Sequence, residues 1–149
     1  HPTENGIFSD AILLFDKVQE IHQKISVIGR SLGSGVAVYL ASKRPLHKMA
    51  LITPYDSIKS LGQNKFIIFP VFLLLKDKYD SLRRVKHIQT QTIALVAEND
   101  EVIPKKHSHR LINEFPPEQI TAITINNSGH NDISYKEEYY QHLKDFFNY

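Results

Sequence analysis

Cysteine is absent from the 149 residues. That removes disulfides, a cysteine nucleophile and thiolate zinc sites together. It leaves the compartment open, because a chain without thiols is at home anywhere, and the cytoplasm is the simplest expectation. A strong charge of either sign is also missing: Lys+Arg 18 against Asp+Glu 16 gives a formal +2. So small an excess makes no case for nucleic acid as a partner, and no Lys/Arg block forms a polybasic membrane patch. The longest apolar run, Phe66 to Leu75, has ten residues and contains Pro70, whereas a helix needs about 20 to span a bilayer. Linkers, repeats and low-complexity tracts are lacking as well. What is present is 42% hydrophobic residues on a length that suits a single domain, 1–149, with a sizeable core.

The apolar periodicity alternates between helix and strand. Ile7, Ala11, Leu14, Phe15, Val18 and Ile21 follow helical spacing, so residues 4–22 read as an amphipathic helix with Thr3 as N-cap. Residues 25–28 form a β-prone run ending at Gly29, and 32–41 a helix apolar on nearly every side, closed by Arg44-Pro45. A second strand is expected at 49–52, followed by Asp56 and Ser57 as caps of a short helix. A third strand covers 92–97, a helix 105–115 and a fourth strand 120–125. Ser134 and Glu137 have capping-box spacing before a last helix whose apolar face is Tyr139, Leu143, Phe146 and Phe147. Strands alternating with helices imply an α/β fold, a parallel sheet covered by helices on both faces. In such sheets sites lie beyond the carboxyl ends of the strands.

Three residues stand at such ends. Gly29-Arg30-Ser31-Leu32-Gly33 fits G-x-S-x-G between an expected strand and an expected helix. That is the setting of a nucleophile elbow, whose tight turn exposes a strained serine. Both glycines are expected to avoid clashes with the neighbouring helix or strand. The Leu32 N–H, at the helix N-terminus, would face a developing oxyanion. The plainer reading makes Ser31 an ordinary N-cap of a glycine-rich turn. A serine nucleophile needs a base, and the base an orienting acid. Asp100 follows the third strand and His130 the fourth, giving the order Ser, Asp, His after three different strands. Glu98 and Glu101 compete for the acid's role, and Asp100 is preferred on position.

These stretches carry a family resemblance. GRSLGSGVAVYLAS resembles the elbow and following helix of the α/β-hydrolase superfamily, closest to the branch of serine hydrolases whose elbow reads G-R-S-L-G. DEVIP resembles that branch's acid loop, of pattern D-x-x-[VI]-P, and supports Asp100; SGHND resembles its histidine loop and supports His130. The opening His1-Pro2-Thr3-Glu4-Asn5-Gly6 resembles a P-T-E-x-G motif that stands mid-sequence in the family. The resemblance implies that the chain corresponds to the C-terminal half of the fold, strands 5 to 8 in the family's order 1-2-4-3-5-6-7-8. It implies that the preceding β-rich portion, with the H-G loop supplying the first oxyanion donor, is missing from this apparently truncated domain. The strand at 25–28 would then lack a neighbour on one side. Either a missing N-terminal segment or a second chain is expected to pair with it, because nothing there but Lys24 blunts the edge.

His107 and His109 are two apart on a helix and face different ways, and no other His/Asp/Glu set has ligand spacing, so no metal is expected. Arg30 either attracts an anionic substrate or, as the plainer reading has it, pairs with a carboxylate behind the elbow. The apolar run 66–75 lies in a cap-like excursion at about 58–88, where the family inserts cap elements. It reads either as an acyl-pocket lining, with Phe69 and Phe72 touching substrate and the segment meeting a membrane surface, or as a helix packed on the core. Tyr55, just past a strand end, is expected to be a pocket wall. The function anticipated is a serine hydrolase using no cofactor and acting on a small-molecule or acylated substrate through an ester, thioester or related acyl bond. The alternatives are a non-catalytic fragment or scaffold with half an oxyanion hole, and a serine peptidase using the same three residues.

Overall fold

The computed structural model describes residues 3–62 and 78–148. The 66–75 run, with Phe69 and Phe72, lies outside the described residues, as does the middle of the 58–88 excursion.

The first helix, α1 (Glu4–Gln19), starts where the sequence signals it: the Thr3 hydroxyl accepts the Gly6 N–H at 3.1 Å. It stops short of residue 22. Ile21 is 78% exposed, so no burial draws the last turn in. Strands β1 (Ser26–Arg30), β2 (Lys48–Ile52), β3 (Gln91–Ala97) and β4 (Ile120–Ile125) form one parallel sheet in that spatial order. Helix α2 (Leu32–Ala41) links β1 to β2, and α5 (Lys105–Ile112) links β3 to β4. Two short helices, α3 (Ile58–Gly62) and α4 (Leu82–Val85), flank the excursion, and α6 (Glu137–Phe147) ends the chain. The turn at α4 carries no strong sequence signal. The capping box also does not form: Ser134 sits in a 3₁₀ turn (Ile133–Tyr135), and α6 begins at Glu137 after Lys136, with no side-chain cap. The tighter turn uses up the residue that the box requires outside the helix.

Alternation along the strands sorts the core into two layers. Met49 and Leu51 face a cluster with Phe15, Val38, Leu40, Leu111 and Phe115, contributed by α1, α2, α5 and the turn after α5. Ala50, Ile52, Ile93, Leu95 and Ile125 face the other way, onto Ile133 and Tyr139, with Leu143 and Phe146 of α6 partly buried beside them. Each large side chain so buried contributes roughly 1.5–3 kcal/mol. The expectation of a parallel sheet covered on both faces therefore holds at its centre. It weakens at β1, which pairs only with β2 among the described residues and leaves Ile28 54% exposed. An apolar groove lined by Ile28, Tyr140, Leu143 and Phe147 runs between β1 and α6.

The excursion is fastened where it leaves and rejoins the domain. Glu4 accepts the N–H groups of Lys78 at 2.8 Å and Tyr79 at 3.1 Å, and pairs with Arg84 Nη2 at 3.1 Å. The Arg84 guanidinium lies 4.9 Å from the Phe8 ring centroid, within cation–π range. Near the start of the excursion, buried Asp56 meets His107 Nδ1 at 3.0 Å and Arg110 Nη1 at 3.4 Å. Its Oδ1 also accepts the Ser57 N–H at 2.7 Å, and Ser57 Oγ accepts the Ser60 N–H at 3.1 Å, so both expected cap residues act at the head of α3. No helix among the described residues is long and apolar enough to cross a membrane.

Candidate active site

All four strands run the same way, so their carboxyl ends gather at one edge of the sheet. In register, Arg30 stands beside Ile52, Ile52 beside Leu95 and Leu95 beside Ile123. The loops after β1, β3 and β4 open onto this edge and carry Ser31, Asp100 and His130.

Ser31 occupies the one-residue turn between β1 and α2 with φ 51° and ψ −123°. A non-glycine residue held there costs on the order of 1–3 kcal/mol. The turn is anchored on both sides. The Ser31 N–H donates to the Ile52 carbonyl at 2.9 Å, and its carbonyl accepts the Ser34 N–H at 2.9 Å and the Ser34 hydroxyl at 2.7 Å. The Ser31 side chain makes no capping bond, so the ordinary N-cap reading fails. Gly29 is required by contact: a Cβ there would lie 2.5 Å from the Gly33 carbonyl oxygen, 2.7 Å from Ala37 Cβ and 2.9 Å from Ser34 Cα. Gly33 is not, since a Cβ there meets nothing within 4 Å. The expectation that both glycines prevent clashes is corrected to Gly29 alone, the residue on which α2 rests.

Asp100 lies in a turn that its own carboxylate builds. Its Oδ1 accepts the N–H groups of Val102 at 2.9 Å and Ile103 at 2.6 Å, an arrangement typical of aspartate after a strand. The histidine loop is laced to the acid loop by the Asn99 N–H, which donates to the Ser128 carbonyl at 2.8 Å. Between these loops, His130 Nδ1 stands 2.9 Å from Asp100 Oδ2 and 3.1 Å from Oδ1, while Nε2 stands 3.0 Å from Ser31 Oγ. A carboxylate can only accept, so Nδ1 carries the ring proton and Nε2 accepts the serine hydroxyl. The side chains of Asp100 and His130 are 1% and 6% exposed. The structure thus brings the three sequence-chosen residues into one hydrogen-bonded chain. The rival glutamates do not touch the ring: Glu98 Oε2 accepts the Asn127 N–H at 2.8 Å, and Glu101 Oε2 the His130 N–H at 3.2 Å.

Leu32 opens α2, and its side chain packs on a cluster containing Phe8, Tyr55, Tyr79 and Ile103. Tyr55 is fully buried in that cluster. Its hydroxyl reaches the Leu32 carbonyl at 3.4 Å, and its ring fills the space under Gly35, where any Cβ would collide with the hydroxyl. Burial pushes its phenol well above the ordinary value of 10.0. The expected pocket wall is therefore a core residue behind the turn, because β2 directs it under α2 rather than outward. Arg30 departs from the carboxylate pairing that the plainer reading gave it. Its Nη2 donates to the carbonyl oxygens of His130 at 2.9 Å and Asn131 at 3.3 Å, not to a carboxylate. Of the two neighbouring histidines, His107 is buried and His109 exposed. Among the described residues, no His/Cys/Asp/Glu group is arranged to hold a metal.

Chemically, a serine hydroxyl aimed at a neutral imidazole, itself oriented by a buried carboxylate, can lose its proton as it attacks an electrophilic carbon. The relatives of this chain are hydrolases by family. The sequence model of the family described as Serine hydrolase (FSH1) matches residues 9–131. An uncharacterized protein of Mycobacterium tuberculosis is 29% identical over 135 residues, covering 88% of this chain and 48% of the relative. Lysophosphatidylserine lipase ABHD12 of Bos taurus is 27% identical over 164 residues, covering 93% and 40%. The chain spans about half the length of the curated relatives it matches or somewhat less. Among solved structures, an acetyl xylan esterase from Paenibacillus sp. R4 superposes with a TM-score of 0.76 at 14% identity, over 94% of this chain and 52% of the other. That likeness shows the fold. With the family match covering most of the chain, the protein belongs to the serine hydrolase family FSH1, within the α/β-hydrolase superfamily.

Proposed function

We propose that Ser31, His130 and Asp100 form the catalytic triad of a hydrolase that cleaves an ester, thioester or related acyl bond. The observation that carries this reading is the continuous chain Ser31 Oγ–His130 Nε2 and His130 Nδ1–Asp100 Oδ2, at 3.0 and 2.9 Å. Ser31 Oγ attacks the acyl carbon while His130 Nε2 takes its proton. Asp100 holds the tautomer and stabilises the imidazolium that forms. The Leu32 N–H donates to the oxyanion at the positive end of α2. As the intermediate collapses, His130 returns the proton to the departing alkoxide or thiolate, leaving an acyl-serine. Water, deprotonated by His130, then releases the acid and restores Ser31. No step calls for a cofactor. The relative named as a lysophosphatidylserine lipase supports an acyl ester as the bond cleaved.

A second reading is a hydrolase-fold scaffold without useful turnover, since one oxyanion donor is worth about 10²–10³ in kcat and the elbow motif itself supplies one, the Leu32 N–H. A fluorophosphonate probe separates the two readings, because it bonds only to an activated serine. Stoichiometric labelling mapped to Ser31 is the expected result; an unlabelled Ser31 in folded protein overturns the proposed function.

We also infer that the free edge of β1 takes a neighbouring strand, supplied by further polypeptide or by a second copy. The support is that, among the described residues, β1 pairs only with β2 and exposes Ile28 beside the apolar groove against α6. The 149-residue chain by itself should therefore associate as its concentration rises in sedimentation velocity. A stable monomer across the micromolar range would overturn this.

A further inference from the structure

The imidazole of the proposed triad is aimed by the peptide group that carries it, and that peptide is gripped from both sides. On one side the His130 N–H donates to Glu101 Oε2 at 3.2 Å. On the other, the His130 carbonyl accepts from Arg30 Nη2 at 2.9 Å, and the same nitrogen reaches the Asn131 carbonyl at 3.3 Å. Each grip comes from the chain neighbour of another triad member: Arg30 precedes Ser31, and Glu101 follows Asp100. We propose that Arg30 and Glu101 are positioning residues, a two-sided clamp that sets His130 Nε2 against Ser31 Oγ. The proposal rests on the triad reading given above and deepens it.

The rest of the histidine loop has its own anchors, so these two groups have a distinct task. The Asn127 N–H is held by Glu98, the Ser128 carbonyl by the Asn99 N–H, and the Ser128 hydroxyl donates to the Ile125 carbonyl at 2.7 Å. Those bonds place the loop. Among the described residues, only the Glu101 and Arg30 bonds act on the His130 backbone, from which the ring is suspended. Both are hydrogen bonds to charged groups, about twice as strong as neutral ones. Gly129 belongs to the same device. A Cβ there would lie 2.8 Å from Glu101 Oε2, so a side chain at 129 would push the carboxylate off the His130 N–H. The Gly129 N–H is itself tied to Asp132 Oδ1 at 2.5 Å. The clamp gives Arg30 a role that does not depend on substrate charge, because its Nη2 donates to two carbonyl oxygens.

A displacement of about 1 Å at a reacting group can cost on the order of a hundredfold in rate. Arg30→Met and Glu101→Leu should each slow Ser31 labelling by about ten- to a hundredfold. Glu101→Gln, which keeps an accepting oxygen, should lose only a few-fold, and Arg30→Lys should recover part of the loss of Arg30→Met. The experiment measures second-order labelling rates of the folded 149-residue chain with a neutral and an anionic fluorophosphonate, alongside thermal melts. Equal slowing with both probes, and partial restoration of Arg30→Ala by millimolar guanidinium ion, are expected. Slowing confined to the anionic probe would make Arg30 a substrate-attracting cation and overturn the clamp. So would wild-type rates in both Arg30→Met and Glu101→Leu. If the wild-type chain is not labelled at Ser31, the triad reading itself has failed, an outcome distinct from either of these.

Discussion

Ser31→Ala should abolish hydrolysis of short p-nitrophenyl esters while leaving the fold intact. The turn keeps every anchor that holds it, since the Ser31 bonds to Ile52 and Ser34 run through its backbone atoms, and its hydroxyl serves no cap. Alanine occupies the same positive-φ position as serine, so the strain there is unchanged. His130→Ala should cost nearly as much. The two residues act as a unit, and removing either from such a triad lowers kcat by about 10⁶, with the double variant little worse than either single one. Steady-state rates of the two single variants and the double variant, each with a melting curve, test this. Retention of most activity in folded Ser31→Ala would remove the centre of the proposed function. Multiplicative losses in the double variant would instead show that serine and histidine act separately.

Gly29→Ala and Gly33→Ala should part company, although sequence treats the two as equivalent halves of one motif. At Gly29 the added methyl meets the Gly33 carbonyl, Ala37 Cβ and Ser34 Cα at 2.9 Å or less. Two of these are backbone atoms of α2, which cannot step aside as a flexible side chain would. Relief requires lifting α2 off β1, and overpacking of this kind costs about 3 kcal/mol, the upper end of the usual range. At Gly33 there is open space and no positive φ. Alanine is the better helix former by about 0.8–1.0 kcal/mol in a helix interior, so Gly33→Ala should be neutral or slightly stabilising. Urea midpoints at constant m-value measure both. Equal losses at the two positions would mean that α2 is not seated on Gly29 as described.

Much of this protein is legible in its sequence. Local signals set the helices and strands, because period and capping act within one element. Thr3 caps α1, and the strands lie within two residues of their expected bounds. The placement of Ser31, Asp100 and His130 after three strands was enough to pick them out. In a parallel sheet every strand delivers its carboxyl end to the same edge, so order along the chain becomes nearness in space. Where the signal is one of local spacing alone, it overreaches: α1 ends at Gln19 instead of 22, α5 at Ile112 instead of 115, and Ser134 and Glu137 have the right separation, yet the chain tightens into a 3₁₀ turn there.

Contacts between distant segments were decided by the tertiary structure. Nothing in the order of residues distinguishes Asp100 from Glu101 as strictly as the distances do, with one carboxylate on the imidazole and the other on the peptide N–H. Tyr55 is polar at one end and follows a strand, which suits a pocket wall as well as a core. Its packing under α2 with Phe8, Tyr79 and Ile103 is what buries it. In the sequence Arg30 shows only its charge, whereas the fold gives it a carbonyl oxygen a hundred positions away. The physical reason is common to all three. A sequence specifies what each side chain can do and the period at which it recurs, both of which are local. Which of those capacities is used depends on the groups that packing brings within about 3 Å, the distance at which a hydrogen bond forms or does not.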